Sequence, residues 1–83
     1  MTREEVYERL NNVFRDVLDD ESIELQDETV ADDVDGWDSF EHINIIVAVE
    51  EEFGIKIPMG KVLTMKNVGE MVDIILNMGE HKS

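Results

Sequence analysis

Over most of this chain apolar residues recur every three or four positions, and alternation with polar ones is confined to two short pieces. That pattern describes helices with one buried face and argues against a sheet, whose side chains point alternately to opposite sides. The first such stretch sets Val6, Leu10, Val13, Phe14, Val17 and Leu18 on one face, behind Thr2 and Glu5 at capping-box spacing. It predicts a helix over about 3–18. Residues 19–37 carry acids and scattered apolar anchors (Ile23, Leu25, Val30, Val34), a long loop with room for one short helical turn. Asp38 and Glu41 repeat the capping spacing and open a second helix over 38–53, where Gly54 suits the left-handed position past a C-terminus. Ile55, Lys56, Ile57 and Pro58 form an extended link, and 59–64 forms one short helix burying Val62 and Leu63. Asn67 with Glu70 starts a fourth helix over 67–78, which Gly79 closes, leaving the last four residues frayed. Met59, Met65, Met71 and Met78 fall in this second half and read as core packing or as an adaptable interior. The fold class is all-α, a small four-helix bundle with a short third helix and a long first loop, one domain over 1–83.

Charge narrows the partners. Asp and Glu number 21 against 7 Lys and Arg, and between Arg15 and Lys56 lie 15 acids with no Lys or Arg. Such a segment repels nucleic acid and anionic lipid and attracts basic protein surfaces. An apolar content of 42%, in helical register, is too high for wholesale disorder. With no cysteine there is no disulfide and no thiolate metal site. Charged residues near the N-terminus and the lack of an apolar run of about 20 residues predict a cytoplasmic protein with no membrane insertion.

The second helix carries two apolar stripes. With Phe40 at zero, Ile45, Ile46, Val49 and Phe53 fall between about 140° and 240°, the stripe expected to face the core. Phe40, Ile43 and Val47 fall nearly opposite, with Glu50 and Glu51 on their flanks and Glu41 further round. An apolar strip rimmed by carboxylates suits a partner that brings apolar anchors and positive charge, although a central helix would bury both stripes. Ser39 stands in the first turn. A serine there is ordinarily a cap, but Asp38 already has the carboxylate and the spacing, which leaves the Ser39 hydroxyl idle and exposed. A phosphate attached to it would lie at the positive end of the helix dipole.

The run Gly36-Trp37-Asp38-Ser39-Phe40, followed in register by Glu50-Glu51-Glu52-Phe53 and Ile57-Pro58, closely resembles acyl carrier proteins. The likeness continues into Val68 and the last helix, and more loosely into the first. It implies a bundle of acyl carrier type that catalyses nothing itself. It implies that Ser39 bears 4′-phosphopantetheine, donated by coenzyme A through a separate phosphopantetheinyl transferase with Mg²⁺, and that Asp38 helps engage that transferase. Phe40, Glu41, Ile43, Val47, Glu50 and Glu51 match positions the family uses to contact partners, here acyl ligases, acyltransferases or synthases with basic docking surfaces. The resemblance further implies a monomer serving fatty acid, polyketide or related lipid biosynthesis. Phe40 departs from the usual Leu, Trp37 from a small residue, and Asn44 from the Glu of general fatty-acid carriers, which points to a specialised member.

Other readings fare worse. Placing Gly36 at the sixth position of a calcium loop puts Ala31 at the first and His42 at the twelfth, where acids are required. No metal site is expected. His42 lacks an orienting acid and an oxyanion loop, so a catalytic role beside Ser39 fails, and it reads as an exposed helix residue. An aminoacyl carrier resembling D-alanyl carriers would use the same arm for a different cargo, and a non-carrier acidic adaptor would leave Ser39 unmodified.

Overall fold

The computed structural model describes residues 2–80. It contains α1 (Arg3–Val17), α2 (Ser39–Phe53), α3 (Met59–Thr64) and α4 (Val68–Glu80), with one 3₁₀ turn over Ala31–Asp33 in the loop before α2. Among the described residues there is no strand, and the architecture is an all-α helical bundle. Thr2 caps α1 by accepting the Glu5 amide at 3.1 Å. Gly54 ends α2 with φ at +65°, a conformation that costs a residue with a Cβ, and donates its own amide to the Glu50 carbonyl.

The buried face of α1 (Val6, Leu10, Val13, Phe14) meets the expected stripe of α2 (Ile45, Ile46, Val49, Phe53). Val68, Met71, Val72 and Ile75 of α4 close the same core, joined by Ile55 and Ile57 of the link and Val62 of α3. Arg9 lies over the Phe53 ring at 4.8 Å and bonds the Glu52 side chain and carbonyl, each at 2.7 Å. Phe14, further along α1, packs on Trp37 just ahead of α2, so the two helices run antiparallel. Leu10, Phe14, Ile45, Met71 and Ile75 are essentially solvent-free, and truncating any of them to alanine should cost about 2–5 kcal/mol.

The long loop is docked along most of its length. Ile23 and Leu25 are buried, while Arg15 and Asn11 of α1 hold the Ile23 carbonyl and the Leu25 amide, both at 2.8 Å. Its middle lies on the start of α4, where the Val68 amide donates to Thr29 O at 2.8 Å and the Gly69 amide to Asp27 O at 2.9 Å. A Cβ on Gly69 would stand 2.9 Å from that Asp27 oxygen, so only glycine permits the approach.

Several boundaries differ from the sequence reading. Asp38 stays outside α2 as its cap, and Leu18 stays outside α1. Helix α4 continues through Gly79 to Glu80, because packing of its apolar face outweighs the mild helix-breaking tendency of glycine. Of the four last residues expected to fray, Glu80 lies within α4 and 81–83 fall outside the described residues, as does the Leu63 side chain, whose burial was expected. Met71 is buried and Met65 and Met78 are half-buried, but Met59 lies 61% exposed at the first position of α3, which contributes little to the core.

Arg3 ties the ends of this assembly together, bonding Asp73 of α4 at 2.7 Å and Asp27 of the loop at 2.8 Å. The Tyr7 hydroxyl donates to the same Asp27 oxygen. That hydroxyl, and then the guanidinium, hold the Asp27 carboxyl below the usual carboxylate range. Desolvation, and then the bond to Asp27, push the Tyr7 phenol up to about 12. A depressed carboxylate stabilises the fold above its unfolded value of about 3.9, and that contribution is lost as pH falls through the folded value. Asp27→Asn therefore lowers the melting temperature at neutral pH, and the gap to wild type closes on acidification. Thermal melts across pH check this; a gap that stays constant into strong acid contradicts the linkage.

Candidate functional site

Asp38 takes the Glu41 amide on its carboxylate and the His42 amide on its carbonyl, both at 2.8 Å. The reciprocal half of a capping box does not form, because the Glu41 carboxylate accepts instead from the Asn44 side-chain Nδ2 at 2.9 Å. With Asp38 filling the cap, Ser39 begins α2 exposed, and its hydroxyl has no hydrogen-bond partner among the described residues. The Ser39 and Phe40 amides likewise have no acceptor there. An accessible hydroxyl therefore stands beside two unpaired donors at the positive end of a 15-residue helix. These residues fit a phosphodiester, whose negative charge would face those donors.

Beside Ser39 opens a cleft of about 510 Å³. Its walls come from the start of α2 (Trp37, Asp38, Ser39, His42, Ile43), the end of α3 (Val62), the residues that follow it (Met65, Lys66, Asn67), Met71 of α4, and Ala31 and Asp32 of the 3₁₀ turn. Trp37 is only 8% exposed and packs edge-on against Phe14, ring centres 4.9 Å apart. Its indole Nε1 donates to His42 Nδ1 at 3.1 Å, and His42 Nε2 lies 3.3 Å from the Val62 carbonyl. His42 is thus a half-buried bridge between α2 and α3, which corrects the expectation of an exposed helix residue. Residue angle on α2 alone could not reveal it, since α3 supplies the covering wall.

On the outer face, Phe40 is 77% exposed, Ile43 43% and Val47 49%, so the second stripe is left to solvent and not buried in a central helix. Glu51 is exposed beside it. Glu50 is engaged differently: its carboxylate accepts the Ile57 amide at 2.7 Å and its carbonyl the Ile55 amide at 3.1 Å, which fastens the link to the end of α2. The cleft and the Trp37–His42–Val62 chain were not foreseen. One signal was available, since a buried indole N–H needs an acceptor and His42 lies five residues on.

A helical bundle with an idle hydroxyl at a helix start, next to a partly apolar cleft, has the form of a protein that bears an attached group. The comparisons agree. The family described as "Phosphopantetheine attachment site" matches residues 8–75. The acyl carrier protein of Acidothermus cellulolyticus is 35% identical over 78 residues, covering 93% of this chain and 92% of its own. That of Tropheryma whipplei strain Twist is 37% identical over 78 residues, covering 92% and 93%. The solution structure of a holo acyl carrier protein from Geobacter metallireducens superposes with a TM-score of 0.86 at 40% identity, covering 93% of this chain and 88% of that one. The chain belongs to the acyl carrier proteins. Its prosthetic group is 4′-phosphopantetheine.

Glu50 and Glu51 separate by experiment. Glu50→Ala strands a backbone amide and should cost about 1–3 kcal/mol, whereas Glu51→Ala should change stability by less than about 0.5 kcal/mol. Urea denaturation of the two variants checks this, and equal stabilities contradict the role given to Glu50.

Proposed function

We propose that Ser39 is the attachment point and that the chain, one carrier domain over residues 1–83, holds acyl intermediates as thioesters and hands them on while catalysing nothing itself. What supports Ser39 above all is that its hydroxyl is exposed and unengaged because Asp38 holds the cap. When attached, the group supplies a thiol that holds the cargo and, as a flexible tether, raises the cargo's local concentration at each enzyme visited. The chain's own residues position and shield. Asp38 fixes the serine at the helix mouth and presents a carboxylate edge to the transferase. The unpaired amides of Ser39 and Phe40 face the phosphate. Met65, Met71, Val62 and Ile43 offer the cleft apolar walls for the carried chain.

Phe40, Ile43 and Val47 form the anchor strip for partner enzymes, with Glu41 and Glu51 steering basic surfaces toward it and Glu50 adding charge from its structural position. The proposed pathway is fatty acid, polyketide or related lipid biosynthesis, served by a monomer in the cytoplasm. The departures at Trp37, Phe40 and Asn44 favour a specialised member with dedicated partners. Among the described residues no helix is long and apolar enough to cross a membrane.

Incubation with coenzyme A, Mg²⁺ and a broad-specificity transferase should raise the intact mass by one phosphopantetheine arm, and Ser39→Ala should abolish the gain. No gain under conditions that modify a control carrier favours the adaptor reading; a gain followed by loading only with amino acids favours an aminoacyl carrier. Glu51→Lys should slow association with a basic partner enzyme at low salt, and an unchanged rate refutes steering.

A further inference from the structure

His42 uses both ring nitrogens to join separate elements. An indole N–H can only donate and a backbone carbonyl can only accept, so the partners dictate the tautomer: Nδ1 bare toward Trp37, Nε2 protonated toward Val62, ring neutral. The imidazole also lies on the indole, planes 29° apart and centres 5.8 Å apart, while the indole is held edge-on by fully buried Phe14. A chain of contact therefore runs from the core of α1, through Trp37 and His42, to α3.

Helix α3 needs such a tie. It has six residues, too few to be stable alone, and no side chain caps its start. The Val62 carbonyl lies among its last four, which have no intrahelical donor. Trp37, His42 and Val62 all line the cleft beside Ser39.

We infer that His42 is a positioning residue that latches α3 against α2, and that releasing this latch opens the cleft to the chain carried on Ser39; the second half rests on the assignment of Ser39 above. Protonation is one means of release, because a hydrogen on Nδ1 would set donor against donor at the Trp37 N–H. The charged groups lining the same cleft are Asp32 from the 3₁₀ turn, Asp38 from the cap of α2 and Lys66 from the segment after α3, while Asn67 of that segment and Met71 of α4 are neutral.

The test starts on the unmodified protein, in which Trp37 is the single tryptophan. Nitrogen NMR should find His42 with Nδ1 unprotonated and Nε2 protonated. Trp37 emission should fall in a single step as the stacked imidazole becomes cationic. His42→Gln can still accept from Trp37 and donate to Val62, so it should keep α3 protected from hydrogen exchange yet lose the pH step. His42→Ala should speed exchange of the α3 amides about tenfold relative to the rest of the bundle. A pH step that persists in His42→Gln, the opposite tautomer, or unchanged α3 exchange in His42→Ala overturns the latch. On protein bearing the arm and a short solvatochromic acyl chain, His42→Ala should move the probe's emission toward that of an apolar setting, and no shift overturns the gating. If no arm can be attached, the assignment of Ser39 fails while the latch still stands or falls on the first measurements.

Discussion

Asp38 accepts the Glu41 amide at 2.8 Å, and the rest of the molecule is arranged around what that bond does. It stops the long loop and starts α2 at a fixed residue, so the helix presents Ile45, Ile46, Val49 and Phe53 to α1. It also separates two tasks that a single serine would otherwise combine. A serine at the cap would have its oxygen drawn into the first turn. One residue later, the oxygen stands clear while keeping the electropositive setting of the helix end.

The loop shows how an acidic segment can be ordered with few cations nearby. Its contacts are mainly backbone to backbone or backbone to a neutral side chain: Asp27 and Thr29 carbonyls on the Gly69 and Val68 amides, Leu25 on Asn11, Gln26 on the Thr29 hydroxyl. Buried Ile23, Leu25 and Trp37 add apolar anchorage. Most of its carboxylates stay exposed, where solvent lowers their mutual repulsion.

Helices α1, α2 and α4 were legible in the sequence because each start carries a local signal, at Thr2, Asp38 and Asn67, and because apolar spacing reports the buried face without knowledge of what covers it. The unengaged hydroxyl of Ser39 was legible for the same reason, as that of the residue beside a sufficient cap. Features that depend on a second element were hidden. Gly69 gave no sign that the Asp27 carbonyl would approach it, since nothing local to α4 requires glycine there. His42 depends on where α3 lies, and Glu50 on the path of the link. At α4 the Asn67 side chain accepts the Glu70 amide at 2.9 Å as the spacing anticipates, while the Glu70 carboxylate reaches back to the Lys66 amide at 3.0 Å, one residue beyond the expected return bond.

The three arginines of α1 all bind inward. Arg3 holds Asp27 and Asp73, Arg9 holds Glu52 and the Phe53 ring, and Arg15 holds the Ile23 carbonyl. Arg3 and Arg9 are thus paired with carboxylates and Arg15 with a neutral carbonyl, so what projects into solvent around α2 is close to a single sign. Such a surface repels anions and attracts cationic surfaces, most strongly where salt is low. By turning their charge to the fold, the arginines leave the molecule with one markedly anionic side.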